Sequence, residues 1–296
     1  MNRPHASGAG NESLSLESAV SRSVRGAVQA LLDEVRLTPK PGLVDVRGSG
    51  VHHDLTLELM ERSAASLHTT FIDFAREAER HQWVNLHLRE ELGRLGREGE
   101  HVMMQATGGI NTHRGAIWAL GLLLGGLNVR QAPSTVTALL HNAGALARMA
   151  DRFYQSNNSS NGAKARLRYG VDGAREQAAQ NFPQIMDGLQ QLYRSRQAGA
   201  LEPAARLDAL LAIAARLSDT CVVHRSGMAG LHWMQQQAKK MLAAGGYATA
   251  AGQAQYAVLE SGMLQRNASP GGAADLLSAC LFIDGLISRG MIVWKS

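Results

Sequence analysis

Four short polar segments, each rich in glycine or proline, interrupt a chain that is otherwise apolar and patterned for helices. Three of the four carry an aspartate, and each places a charged side chain beside residues that leave backbone N–H groups accessible. Accessible amides near a carboxylate are what a polyphosphate and its metal ion require. The segments are residues 38–45 (TPKPGLVD), 107–115 (TGGINTHRG), 219–225 (DTCVVHR) and 269–275 (SPGGAAD).

The first segment carries a lysine on a stiff backbone. Lys40 lies between Pro39 and Pro41, which fix φ and push the residue before them toward an extended conformation. A rigid turn with an exposed lysine explains the pattern equally well. Asp45 and Asp54 could share a Mg²⁺, because hard cations bind carboxylate and phosphate oxygens together. Isolated loop aspartates are more often solvated helix caps.

The second segment conflicts with the helix dipole. Thr112 is an N-cap residue type, and with it as N-cap His113 and Arg114 fall in the first turn of an apolar helix. Cations at that end oppose the dipole, at a cost of about 0.3–1 kcal/mol for an exposed charge. A bound anion would compensate this cost, while the alternative is that the protein tolerates it without any function.

The third segment predicts the same conflict a second time. His224 and Arg225 stand just ahead of a helix expected over residues 227–243. Two conflicts of one kind favour a functional anion site, because local rules often fail at functional positions. Cys221 near His224 suggests a thiol nucleophile, but a small half-buried cysteine is the usual case.

The fourth segment reads as a helix start. Ser269 is expected as the N-cap and Pro270 as the first helical residue. Gly271 and Gly272 would then leave the first amides open to a phosphate, with Asp275 one turn inward. The same four letters also make an ordinary helix cap.

The elements that position these segments are predicted to be helices. Apolar residues recur at spacings of three and four through most of the chain, and no stretch alternates as a half-buried strand does. We expect an all-α fold, a single large domain of roughly ten helices with the polar segments at helix termini. Residues 1–12 are expected to be a flexible tail, and residues 155–163 could join two helical halves.

Composition narrows the partners. The net charge of +5 suits an anionic ligand, but the basic residues form no block and aromatics make up only 5% of the chain, which argues against nucleic acid. The most apolar run, residues 116–127, is too short to span a bilayer. Two cysteines without metal or disulfide spacing favour a reduced cytoplasm. Phosphate-loop, dinucleotide, zinc-protease and nucleophile-elbow motifs are absent from the sequence.

Together with residues 50–54 (GVHHD), the four segments resemble the triphosphoribosyl-dephospho-coenzyme A synthase family, in the family's order and from about Leu31 to Ile287. The resemblance implies an all-α enzyme that transfers the triphosphoribosyl group of ATP to the 2′-hydroxyl of 3′-dephospho-coenzyme A and releases adenine. The product is the prosthetic-group precursor for the acyl carrier subunit of malonate decarboxylase or citrate lyase, made ready for a carrier-protein holo-synthase. Residues 59–67 favour the malonate branch slightly.

The resemblance also implies roles for the polar residues. Asp219 or Asp275 would activate the 2′-hydroxyl in one in-line displacement, with His224 or Arg225 near the leaving adenine or a phosphate. Asp45 and Asp54 would hold Mg²⁺. The residues expected to bind nucleotide or substrate are Lys40, Gly108, Gly109, Asn111, His113, Arg114, Arg225, Ser269, Gly271 and Gly272. Departures from the family pattern at Ser49, His53 and Cys221 bear on this ligand set.

Two other functions fit the same residues less well. An all-α metal-dependent hydrolase of nucleotides or ADP-ribosyl groups would use the same aspartates and basic segments, with water as the acceptor. A basic helical nucleic-acid-binding protein would show salt-dependent affinity and no turnover.

Overall fold

The structure is a computed structural model that describes residues 18–154 and 161–294. The described residues form thirteen helices and no β-strand, which confirms the predicted all-α class with more helices than expected. The predicted tail, residues 1–12, lies outside this part of the chain, as does most of the predicted joint at residues 155–163. The helices are α1 (Ala19–Arg36), α2 (Leu57–Ser66), α3 (His68–Glu79), α4 (Leu86–Ala106), α5 (Arg114–Leu127), α6 (Val136–Arg148), α7 (Asn161–Tyr169), α8 (Ala174–Ala179), α9 (Pro183–Gln197), α10 (Glu202–Ala214), α11 (Thr220–Ala243), α12 (Ala250–Gln265) and α13 (Gly271–Ser288).

Most helices bury one apolar stripe, whereas α5 and α13 are apolar on nearly every side and form the centre of the protein. Helix α13 packs against α1, α5, α9, α10 and α11, and α5 packs against α3, α4 and α6. Gly271–Ser288 is long and apolar enough to cross a membrane, but 67% of it is buried inside the protein. Its apolar character is therefore explained by its central position in the core.

Helices from before and after residues 155–160 contact one another. Helix α1 packs on α13, α5 on α13, and α6 on α8. The polar segments lie at the ends of these helices, so the packing of α5 and α13 brings two of their N-termini together. The division of the chain into two halves stays a prediction.

Helix α11 differs from the predicted helix over residues 227–243. It begins at Thr220, with Asp219 as its N-cap, and it bends at Gly227, whose φ of 67° is left-handed. His224 and Arg225 therefore lie in the last turn before the bend, where cations complement the helix dipole. The predicted conflict at these two residues was wrong, because the helix starts seven residues earlier.

Candidate active site

One cleft lies where α5, α11 and α13 begin, beside the start of α8. Among the residues that line it are Gly115, Trp118, Gln177, Asp219, Gly272 and Asp275. Both aspartates predicted to act on the hydroxyl thus share one wall, together with one of the predicted glycines. Asp172, an exposed carboxylate, lies on the rim.

Asp219 caps two helices at once. Its Oδ1 accepts a hydrogen bond from the Cys221 N–H at 2.9 Å, and its Oδ2 accepts one from the Ala273 N–H in the first turn of α13, also at 2.9 Å. The Gly272 N–H also donates to this carboxylate. Burial raises the pKa of Asp219, while the backbone donors lower it. Of the two α13 amides predicted to bind phosphate, those of Gly271 and Gly272, the Gly272 amide is therefore already occupied by a protein carboxylate.

Asp275 has far fewer donors. Its carboxylate packs against Gly115 at the start of α5, where a side chain larger than hydrogen would collide with it. The Ala116 N–H is the backbone group that donates to it. Burial, followed by the negative charges of Glu34 and Asp219, raises its pKa well above the ordinary value. A carboxylate with few donors and a raised pKa is a strong proton acceptor once ionised.

Lys40 is a buried counter-ion. Its side chain is 3% exposed, and its Nζ donates to Glu34 Oε1 and to the Glu34 carbonyl, both at 2.7 Å. The ammonium that we predicted to bind phosphate is thus directed at a carboxylate of α1. Sequence reasoning missed Glu34, although it falls on the stripe of Leu31 and Val35, where a charged residue is out of place.

His113 is buried and neutral. Its Nδ1 lies 2.8 Å from the Ser63 hydroxyl, which also pairs with the Thr112 hydroxyl at 2.6 Å. Burial and the charge of Lys40 lower its pKa to about 3. The prediction that Thr112 caps α5 was wrong, because its hydroxyl bonds to Ser63 and His113 itself is the N-cap. A neutral imidazole does not oppose the helix dipole.

The remaining residues of the second segment lie outside the cleft lining. Arg114 Nε is 3.0 Å from Glu100 Oε2. Gly108 and Gly109 are exposed and have φ values of 65° and 92° in the turn that ends α4. Asn111 is exposed in the same turn. They form a polar rim whose contact with a ligand stays a prediction.

The two aspartates predicted to hold a metal are in different surroundings. Asp45 is buried and accepts hydrogen bonds from the Lys40 N–H, the Arg47 N–H and the Arg47 guanidinium, all within 3.0 Å. The guanidinium of Arg47 also reaches Glu260. Asp54 is exposed in the loop before α2. The Asp45 oxygens are therefore already neutralised, and Asp54 is the more accessible ligand.

A separate group of three side chains has ligand atoms close enough for a metal. Glu77, His81 and His87 lie where α3 ends and α4 begins, outside the cleft lining. Arg80 already pairs with Glu77, and the Asn85 amide contacts His81 Nδ1 at 2.9 Å. These contacts account for the group as a network that joins two helices.

The third and fourth segments meet through His52. Arg225 donates to His52 Nδ1 at 3.0 Å, so the remaining nitrogen, Nε2, donates to the Ser269 hydroxyl at 2.8 Å. Burial and the charge of Arg225 lower the pKa of His52 to about 4. Ser269 was predicted as the N-cap of α13, but Pro270 is, because the hydroxyl bonds to His52.

Two further side chains of α11, those of His224 and Cys221, are in different surroundings. His224 is exposed, and no hydrogen bond of it is found in the described part of the chain. The Cys221 thiol lies beside Gly271, where an added Cβ would come within 3.2 Å of the sulfur, and burial raises the pKa of the thiol well above the ordinary value. A thiolate nucleophile at this position is therefore disfavoured.

Known proteins similar to this chain agree with one another. The family model described as ATP:dephospho-CoA triphosphoribosyl transferase matches residues 21–292. The "2-(5''-triphosphoribosyl)-3'-dephosphocoenzyme-A synthase" of Klebsiella pneumoniae is 54% identical over 272 residues, which are 92% of this chain and 96% of that protein. A protein of Pseudomonas syringae pv. syringae (strain B728a), given the same name with the qualifier "Probable", is 55% identical over 88% of this chain and 89% of its own length.

A solved structure from Archaeoglobus fulgidus, assigned to the same kind of synthase, is 17% identical. It covers 75% of this chain and 97% of its own, with a TM-score of 0.48.

Proposed function

Because the chain belongs to the ATP:dephospho-CoA triphosphoribosyl transferase family and is therefore a transferase, we propose that it joins the triphosphoribosyl group of ATP to 3′-dephospho-coenzyme A. The ribose 2′-hydroxyl of the acceptor attacks C1′ of ATP, the new C1′–O bond forms, and the C1′–N bond to adenine breaks. One proton leaves the hydroxyl, and the departing adenine gains one. A single displacement of this kind needs one proton acceptor.

The observation that supports this proposal is the surroundings of Asp275. It faces the cleft beside Gly115, the Ala116 N–H donates to it, and burial together with the charges of Glu34 and Asp219 raises its pKa. In our proposal Asp275 accepts the proton of the 2′-hydroxyl. Asp219, which four N–H groups hold in place, positions the two helix N-termini and does not exchange a proton.

Two basic side chains outside the cleft lining, Arg225 and Arg114, are proposed to bind phosphates. Arg225 donates a hydrogen bond to His52, which is neutral. This contact therefore leaves the positive charge of the guanidinium free to attract a phosphate. Arg114 shares its charge with Glu100 at a partly exposed position. Lys40 contributes indirectly, because it neutralises Glu34 beneath the cleft.

Magnesium would enter as the complex with ATP, where it neutralises phosphate charge. Of the two predicted protein ligands, Asp54 fits this role because it is exposed, whereas Asp45 is already paired with Arg47.

We propose that the enzyme works in the cytoplasm, where its free cysteines stay reduced, and that it serves malonate decarboxylase or citrate lyase with the malonate branch favoured. A holo-synthase for the acyl carrier protein would use its product.

The decisive experiment supplies the protein with ATP, Mg²⁺ and 3′-dephospho-coenzyme A and follows products by mass spectrometry. We expect free adenine and the triphosphoribosyl adduct in equal amounts. Adenine without adduct would instead support the alternative, a metal-dependent nucleotide hydrolase.

The same assay tests Asp275. We expect Asp275→Asn to lower kcat by about 10²–10⁴-fold, the usual contribution of a general base. The matched control is Asp172→Asn, which removes an exposed carboxylate from the same cleft and should change kcat little. Equal activity of the wild type and Asp275→Asn would refute the assignment of the base.

A further inference from the structure

Gln177 carries a buried acceptor without a partner. The residue is 5% exposed and lines the cleft, and its Oε1 has no hydrogen-bond partner among the described residues. Leaving a buried polar group unpaired costs about 1–3 kcal/mol, so such a group calls for an explanation. A ligand in the cleft would supply the missing donor.

The walls beside Gln177 are aromatic and rigid. Trp118 lines the cleft, and its Nε1–H donates to the Ala174 carbonyl at 3.3 Å. The buried Arg89 guanidinium lies over the Trp118 ring, 5.1 Å from its centroid. Phe182 also lines the cleft, and its N–H donates to the Gln177 carbonyl at 3.0 Å. A flat apolar ligand therefore meets the preformed, partly exposed ring of Trp118, whereas Phe182 is fully buried and supports the wall from within.

We propose that this part of the cleft binds the adenine ring of ATP, and that Gln177 recognises the base by hydrogen bonds. A glutamine amide matches adenine in both directions, because its oxygen accepts from the N6 amino group and its nitrogen donates to N7. Aromatic side chains supply the stacking surface that bases use in proteins. This assignment rests on the proposed function and names a binding site for it.

Position and charge favour the leaving base of ATP over the adenine of the acceptor. Gln177 and Asp275 line the same cleft, so a base held by Gln177 lies in the compartment where the C1′–N bond breaks. The leaving adenine gains negative charge as that bond breaks. A donor at N7 stabilises that charge, and the Arg89 guanidinium over Trp118, whose charge is partly offset by Asp151 at 3.7 Å, adds to it.

The test measures binding of free adenine without turnover, by saturation-transfer NMR and calorimetry on the full-length protein. We expect wild type to bind adenine about tenfold more tightly than hypoxanthine, which lacks the amino group. Gln177→Leu should lose about tenfold in adenine affinity and lose this preference.

Gln184→Leu is the matched control. Gln184 is also buried, and its Oε1 likewise has no hydrogen-bond partner in the part of the chain that the structure describes, but it does not line the cleft. We expect it to bind adenine as wild type does. If both variants lose affinity equally, or if Gln177→Leu keeps the adenine preference, the proposal is overturned.

Competition identifies the source of the base. ATP should displace bound adenine, and 3′-dephospho-coenzyme A should not. Displacement by the acceptor alone would overturn the assignment to ATP. Because no turnover is needed, Gln177-dependent adenine binding without adduct formation refutes the proposed reaction alone, whereas adduct formation with unchanged binding in Gln177→Leu refutes the base site alone.

Discussion

Lys40 and Glu34 form an ion pair that is almost closed to solvent, with exposed side-chain fractions of 3% and 4%. Charges buried in this way stabilise a protein only as a pair, because each pays a desolvation cost that its partner repays. The pair lies beneath the cleft, where its carboxylate raises the pKa of Asp275 and its ammonium lowers that of His113. The Lys40–Glu34 pair therefore influences the protonation of Asp275 and His113.

Lys40→Met should destabilise the protein by about 3–5 kcal/mol, because it leaves Glu34 buried without a partner. The double variant Lys40→Met, Glu34→Leu should recover much of that loss. Urea unfolding of the wild type, both single variants and the double variant measures the coupling. An unchanged unfolding midpoint in Lys40→Met, with only a raised KM for ATP, would return Lys40 to the role of an exposed phosphate ligand.

At the scale of elements, the site depends on how three helix N-termini are held. Asp219 accepts N–H donors from α11 and from α13, and Asp275 of α13 accepts one from α5. The cleft therefore opens where these helices share carboxylates. We therefore expect loss of the Asp219 carboxylate to affect mainly helix packing, and loss of the Asp275 carboxylate to affect mainly turnover.

Asp219→Ala should cost about 1–2 kcal/mol for each helix it uncaps, whereas Asp219→Asn should cost less, because asparagine keeps one acceptor oxygen and with it the cap of one of the two helices. Thermal unfolding ranks the three proteins, and the adduct assay follows turnover. In our proposal Asp219→Asn keeps most of its turnover once folded. A folded Asp219→Asn protein with activity as low as Asp275→Asn would make Asp219 the proton acceptor.

Gly227 sets the bend of α11 and with it the direction of Arg225. Its φ of 67° is disfavoured for any residue with a side chain, so Gly227→Ala should destabilise the protein by about 1–2 kcal/mol. Gly96→Ala, in the interior of α4, where an added Cβ would make an ordinary van der Waals contact with the Phe74 ring at 3.9 Å, should stabilise by about 0.5–1 kcal/mol. Equal unfolding temperatures for the two variants would contradict a structural role for the bend.

For the whole molecule, the sequence predicted the class of fold because apolar spacing of three and four is a local signal. It placed the starts of α5 and α13 one residue early, since the Thr112 and Ser269 hydroxyls bond to Ser63 and His52 and not to their own helices. Such partners lie far away in the chain and leave no local pattern. The burial of Lys40 was missed for the same reason.

Burial of neutral histidines also makes the stability of the whole protein depend on pH. The folded pKa values of His52 and His113 are about 4 and about 3, both below the ordinary 6.5. Between those values the unfolded chain binds more protons, so each histidine lowers stability as the pH falls from about 6.5, by up to about 1.4 kcal/mol per pH unit. Asp219 and Asp275 have raised pKa values and act in the opposite sense, since their contribution is lost as pH rises.

Variants separate these opposing contributions. His113→Asn should be less stable than wild type at pH 7.5, because it disturbs the contact with Ser63, but the gap should narrow by up to about 1.4 kcal/mol per pH unit as the pH falls from 6.5 to 4. Thr70→Val, a buried substitution that removes no titrating group, should keep a constant gap. Urea unfolding at half-unit pH steps measures both differences. A pH-independent gap for His113→Asn would mean that the His113 imidazole at the start of α5 has the same pKa in the folded and unfolded chains. The assignment of His113 as a neutral N-cap would then be wrong.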